Sequence, residues 1–153
     1  MALLRSFQIK SAEEMQGLGQ SLAPILRAGD CVALRGQIGA GKSVLSRSVI
    51  LTLLDVPEDI PSPTFTIVQT YEAAQFDIWH CDLYRLTQAH QVDELGLEDA
   101  MQTALCLIEW PEIMADYLPQ STLYIDISGT GETRTLALGG DDEMWATRLG
   151  DLP

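Results

Sequence analysis

The residues of this chain whose types and spacing most directly specify a chemistry are Gly36-Gln37-Ile38-Gly39-Ala40-Gly41-Lys42-Ser43. They meet the pattern G-x-x-x-x-G-K-[ST] at every fixed position, the pattern of a loop that cradles nucleotide phosphates. The glycines let the backbone turn tightly and bring successive N–H groups close to phosphate oxygens. Lys42 would set a point positive charge on the β- and γ-phosphates, and Ser43 would offer its hydroxyl to Mg²⁺. A helix opening behind the loop would turn its positive N-terminal end toward the anion. A glycine-rich turn with a surface lysine is the plain alternative. The flanks argue against it. Cys31-Val32-Ala33-Leu34 reads as a short buried strand entering the loop, and Val44, Leu45, Val49 and Leu53 form an apolar helical stripe after it.

A phosphate loop alone gives binding; hydrolysis also needs a metal partner and a group that positions water. Glu109 ends the apolar run Ala104-Leu105-Cys106-Leu107-Ile108, the form of a buried strand with a carboxylate at its C-terminal end. It is the candidate second metal ligand, set against a plain surface carboxylate at a strand end. Asp82 also ends a strand-like run, and either orients the attacking water or caps the following turn. Thr64, behind Pro63, either senses the γ-phosphate from a switch-like loop or is an ordinary loop threonine. Glu112 lies on the next helix and favours its N-terminus. Arg85 is read as a phosphate or partner contact, or as a salt-bridge residue. Arg134, after a Gly-rich turn, could cover base or sugar. Trp110 either stacks on an aromatic group or partner, or is a packed core tryptophan. His80 and His90 have no Cys or His at ligand spacing, which argues against zinc.

The elements that must hold these groups follow from periodicity. Leu3–Ile9 reads as a strand. Ser11-Ala12-Glu13-Glu14 is a capping box for a helix through Met15, Leu18, Leu22, Ile25 and Leu26, with Gly29 as its stop. After the loop and its helix, Pro57–Pro63 is a proline-rich connection. Phe65–Tyr71 and Phe76–Asp82 form an antiparallel hairpin turning at Ala73-Ala74-Gln75. Thr87–Glu94 and Leu97–Thr103 read as short helices, and Pro111 opens another that runs to Tyr117. Leu123–Ile127 and Arg134–Leu138 make a second hairpin around Gly129-Thr130-Gly131-Glu132, and Asp141–Leu149 closes as an acidic-headed helix. The expected fold is a single α/β domain over residues 1–153. It is a three-layer P-loop NTPase fold with a mixed, largely parallel central sheet and inserted antiparallel hairpins. Nucleotide would bind at the carboxyl ends of the parallel strands.

Composition narrows the classes. At 153 residues and 46% hydrophobic content the chain can bury a real core and is not disordered. No apolar run reaches membrane-spanning length, and Met1–Lys10 does not read as a secretory signal. Cys31, Cys81 and Cys106, each in an apolar or strand-like stretch, read as buried thiols in a reducing compartment. A net charge of −13 opposes direct capture of nucleic acid and suits a basic protein partner. The chain has no asparagine, so the guanine-reading N-K-x-D signature is absent and ATP is favoured. A small-molecule kinase is the serious rival, although the seven arginines form no lid-like cluster. A nucleotide-gated binding module is the third reading.

Four motifs occur in series: Gly36–Ser43, Ser62-Pro63-Thr64-Phe65-Thr66-Ile67-Val68, His80-Cys81-Asp82-Leu83-Tyr84-Arg85-Leu86 and Leu107-Ile108-Glu109-Trp110-Pro111-Glu112. Together they resemble the bacterial TsaE (YjeE) family, the ATPase component of tRNA threonylcarbamoyladenosine biosynthesis. The resemblance runs from Ser11 to about Leu138 and leaves the acidic tail Asp141–Pro153 unmatched. It implies a cytoplasmic ATPase using ATP and Mg²⁺, acting with the TsaB and TsaD proteins, which modify adenosine 37 of tRNAs reading codons that begin with A. The tRNA itself would be met only indirectly. By position, the resemblance implies nucleotide contacts from Gly36, Ile38, Gly39, Ala40, Gly41, Lys42, Ser43 and Val44. Ala12 and Arg134 would lie beside the adenine, and Trp110 and Tyr84 near the nucleotide or partner surface. Metal would be held by Ser43 and Glu109, with Lys42, Thr64 and Asp82 serving hydrolysis. The family commonly has threonine where this chain has Ser43; serine keeps the oxygen.

Overall fold

The computed structural model describes residues 2–129, 131–141 and 143–153. The chain runs β1 (Ala2–Ile9), α1 (Ala12–Leu22), β2 (Cys31–Gly36), α2 (Lys42–Leu53), β3 (Val68–Glu72), β4 (Asp77–Asp82), α3 (Leu97–Thr103), β5 (Leu105–Glu109), β6 (Leu123–Ser128), β7 (Arg134–Gly140) and α4 (Glu143–Leu149). Short 3₁₀ turns occupy Ala23–Ile25, Ala89–Leu95 and Pro111–Tyr117.

The seven strands form one sheet in the order β1-β7-β6-β2-β5-β4-β3. Its centre, β6-β2-β5-β4, is parallel. The flanks are antiparallel: β3 on β4, β7 on β6 and β1 on β7. This is the expected three-layer, mixed P-loop NTPase arrangement, with both hairpins present. The central strands are covered on both faces, which is why Cys31–Leu34 and Leu105–Ile108 are continuous apolar runs. On one face α1 and α2 bury Leu18, Leu45 and Ile50 against Leu107 and Ile125. On the other, Val92, Leu97 and Met114 cover Ile108 and the three cysteines, all free and buried.

The two helices on the loop side touch closely because Gly19 has no side chain. A Cβ there would meet the Cβ of Ser48 at 2.6 Å. Ser48 Oγ uses the approach to donate to the Gln16 carbonyl at 2.6 Å. Thus α1 and α2, which opens at Lys42, are closely packed and hydrogen-bonded to each other.

Several expected boundaries shift, each for a local reason. Ser11 caps α1 by accepting from Glu14 N, but the Glu14 carboxylate returns to Lys10 N and not to the Ser11 amide. The helix ends at Leu22, because Pro24 turns the chain into a 3₁₀ segment before Ile25 and Leu26. The first hairpin strand starts at Val68, since Ile67 is left-handed at φ 70° and breaks extension before it. The stretches expected as helices near Thr87–Glu94 and Pro111–Tyr117 are 3₁₀. Thr130 of the second turn and Asp142 of the closing helix lie outside the described residues.

The C-terminal segment, read as an acidic tail, is tied into the core. Trp145 and Leu149 are fully buried. Trp145 Nε1 donates to Ser121 O at 2.7 Å, Arg148 pairs with the buried Asp30 at 2.6 Å, and Arg5 donates to Leu149 O at 2.7 Å. Asp141, Glu143 and Asp151 are exposed, while Trp145 and Leu149 form the apolar inner side of α4. Trp145→Ala should therefore lower stability by about 3–5 kcal/mol in urea unfolding. A loss below about 1 kcal/mol would show that this helix is peripheral.

Candidate nucleotide site

Parallel pairing aligns the strand ends that carry the candidate residues. Leu34 of β2 lies opposite Glu109 of β5, and Glu109 lies opposite Asp82 of β4. The alternation of each strand then turns Glu109, Asp82 and His80 toward the face that carries α2. The loop leaves β2 at Gly36, where a Cβ would come within 2.7 Å of the Ile127 carbonyl, so only glycine lets β2 run this close to β6. Gly41, at φ 110°, turns the loop into α2.

Lys42 is buried, with Nζ donating to Gly36 O at 2.6 Å and Gln37 O at 2.9 Å. Its ammonium also lies 4.2 Å from the centre of the Trp110 ring. Burial pulls its pKa down, and the nearby carboxylates of Glu109, Asp82 and Glu112 oppose that shift. Ser43 Oγ donates to Glu109 at 3.0 Å (Oε1) and 3.2 Å (Oε2). Glu109 is only 2% exposed, which removes the surface-carboxylate reading.

Asp82 splits its two oxygens. Oδ1 accepts the Tyr84 amide at 3.0 Å, the turn-capping reading, while Oδ2 faces Thr64 Oγ1 at 3.4 Å. The capping role and a second oxygen turned toward Thr64 therefore coexist. The Thr64 loop is held against Asp82 by the left-handed Ile67. Its carbonyl accepts Asp82 N at 2.8 Å, and its amide donates to Pro63 O at 2.7 Å. A β-branched residue in this region is strained.

Trp110 is left-handed as well, at φ 54°. Its half-buried ring is tilted on Tyr84, with centroids 4.7 Å apart. Arg85 makes no salt bridge among the described residues; it donates to Phe65 O at 2.8 Å. Arg134 reaches the loop from the opposite side, donating to Ala40 O at 3.3 Å and Gly39 O at 3.4 Å.

Two cavities flank the loop and share Gly39–Gly41 and Val44. One of about 360 Å³ holds Lys42, Ser43, Thr64, Asp82, Glu109 and Trp110. The other, about 380 Å³, holds Ala12, Met15, Glu132 and Arg134. Ile38 stands exposed at the loop tip and borders the first. The candidates Ala12, Lys42, Ser43, Thr64, Asp82, Glu109, Trp110 and Arg134 thus line one or other of these two cavities, whereas Gly36 and Arg85 line neither. Sequence reasoning missed His80, whose Nε2 lies 2.6 Å from Glu109 Oε2. It was weighed only as a zinc ligand, although the i, i+2 spacing to Asp82 puts it on the site face.

Known proteins resemble the chain over most of its length. A family profile described as "Threonylcarbamoyl adenosine biosynthesis protein TsaE" matches residues 9–136. The tRNA threonylcarbamoyladenosine biosynthesis protein TsaE of Rickettsia bellii is 38% identical over 128 residues, covering 83% of this chain and 89% of that one. The protein of the same description from Bacillus subtilis is 31% identical over 142 residues, 90% of this chain and 88% of its own. The crystal structure of Bacillus subtilis YdiB superposes with a TM-score of 0.81 at 22% identity, over 96% of this chain and 92% of that one, which supports the fold.

The strain at Ile67 makes a prediction that needs no ligand. At ordinary positions glycine is less stable than alanine, but at a left-handed position the order reverses. Ile67→Gly should be more stable than Ile67→Ala by about 1 kcal/mol in urea unfolding. The opposite order would show that this backbone carries no strain.

Proposed function

The chain belongs to the TsaE family of threonylcarbamoyl adenosine biosynthesis proteins, and from that premise we propose that it is a P-loop ATPase that binds Mg²⁺–ATP, hydrolyses it slowly alone and serves the TsaB–TsaD proteins in tRNA modification. The observation that carries the reading is the convergence of Lys42, Ser43, Glu109 and Asp82 on one cavity behind a phosphate loop.

The donor set suits magnesium. Ser43 Oγ gives its proton to Glu109 and keeps lone pairs free, and the Glu109 carboxylate adds hard oxygens beside it. Among the described residues no group of three or more His, Cys, Asp or Glu could hold a metal. Two protein oxygens fit a cation that keeps waters and phosphate oxygens as its remaining ligands. Bound there, Mg²⁺ would neutralise charge on the β- and γ-phosphates.

The chain's own groups divide the rest of the work. Lys42 exchanges Gly36 O and Gln37 O for phosphate oxygens. The loop amides hold the phosphates, with the N-terminus of α2 behind them. Ala12, Val44 and Arg134 offer the base and sugar an apolar floor and one guanidinium in the second cavity. Asp82, through its inward Oδ2, orients a water on the γ-phosphorus and takes its proton as the bond to the β–γ bridging oxygen breaks. Thr64, at its side, supports that oxygen.

Slow turnover follows from what the reacting cavity lacks. No arginine is among the residues that line it, and an arginine finger is worth about 10³–10⁵ in rate. Exposed Ile38, Phe65 and Tyr84 near the mouth offer apolar contact to proteins that could complete the site.

Purified protein should release phosphate from ATP slowly, and TsaB–TsaD should accelerate it. Ordinary enzymatic rates alone, unchanged by those proteins, would overturn the activation. Phosphate appearing on a metabolite instead of in solution would make the chain a kinase. Asp82→Ala should bind nucleotide almost as the parent does while hydrolysis falls about 10²–10⁴-fold. Glu109→Ala should weaken binding in Mg²⁺ more than in EDTA, as isothermal titration would show; equal losses would point to misfolding.

A further inference from the structure

The reading above leaves a buried histidine without a task. His80 is on β4, two residues before Asp82, paired in register with Leu107. Its side chain is 1% exposed, and Nε2 lies 2.6 Å from Glu109 Oε2. Nδ1 is also buried and has no hydrogen-bond partner among the described residues. An ionised carboxylate can only accept, so Nε2 carries the proton. The ring is thus a one-sided donor aimed at a single oxygen.

We propose that His80 is the positioning residue of Glu109, fixing which carboxylate lone pairs remain for the divalent cation. The proposal rests on the Mg²⁺ reading of the site. Ser43 and His80 hold the carboxylate from two elements, α2 and β4, so it cannot rotate about its terminal bond without losing a donor. Ser43 approaches both oxygens, at 3.0 and 3.2 Å, and does not choose between them; His80 takes Oε2 alone and sets the orientation. The metal-facing geometry is then built before the cation arrives. Partners of metal-binding side chains typically contribute about 10–100-fold to metal affinity. A histidine that merely filled space would be replaceable by any polar residue of similar size.

Two substitutions separate these roles. In H80Q the side-chain amide nitrogen falls near the place of Nε2; in H80N it falls near Nδ1, out of reach of Glu109. Affinity for a non-hydrolysable ATP analogue would be measured calorimetrically with Mg²⁺ and with EDTA, the ratio giving the metal's contribution. H80Q should keep the parent's ratio. H80N should lose about 10–100-fold of it while its EDTA affinity stays at the parent's value. An H80N ratio equal to the parent's would overturn the positioning role, as would an equal loss in H80Q. A parent with no gain from Mg²⁺ would instead sink the metal site itself, and the positioning role with it.

A second measurement uses the parent alone, should either variant fold poorly. The chain has two histidines, and His90 is exposed. In ¹⁵N-histidine-labelled protein, His80 should show a slowly exchanging Nε2 proton far downfield. A rapidly exchanging ring with averaged nitrogens would overturn the proposal.

Discussion

A carboxylate carried inside a protein must be met by donors or it loses its charge, and Glu109 is 2% exposed. Ser43 and His80 supply those donors, and the Lys42 ammonium lies close enough to feel its charge. The compensating groups arrive on two elements: Lys42 and Ser43 from the first turn of α2, His80 from β4. The parallel register of β2, β5 and β4 is what brings these ends to one level. A slip of one residue in β5 would turn Glu109 to the opposite face and bring Ile108 into the site. The sheet's pairing and the site's electrostatics are therefore one constraint.

The loops beside that carboxylate are held tightly. Ile67 and Trp110 both take left-handed backbone, where their side chains are costly. In return, Ile67 bridges Pro63 to Asp82 through its own backbone, keeping Thr64 beside the acid. Trp110 lays its ring between Tyr84 and Lys42. The strain falls on the two motifs that flank the cavity holding Lys42 and Glu109 and spares the strands beneath.

Much of this arrangement could be read from the residues. The pattern from Gly36 to Ser43 marks the turn from β2 into α2, and the apolar run before Glu109 marks its place at a strand end. Alternation identified both hairpins. Other features lay beyond such reading. Pro24 stops α1 early through a local 3₁₀ turn, a boundary that apolar spacing does not mark. The pairing of His80 with Glu109 spans 29 residues and depends on β4 lying next to β5, which no local pattern encodes. Arg85 turned to a main-chain carbonyl because Phe65 passes beside it, a proximity set by the strained turn at Ile67. The C-terminal segment reads as polar because its charges outnumber its buried apolar residues, Trp145, Leu149 and Leu152, which nonetheless tie it into the core.

The far side of the sheet has its own practical meaning. Cys31, Cys81 and Cys106 lie in the layer that faces away from the phosphate loop, and each is wholly enclosed. Burial pushes the thiols of Cys31 and Cys106 up to about 12, and that of Cys81 well above its usual value. Thiolate, the form that reacts with oxidants and alkylating dyes, is thus scarce at neutral pH. A single cysteine engineered at the protein's surface could carry a maleimide probe with the three native sulfurs left in place.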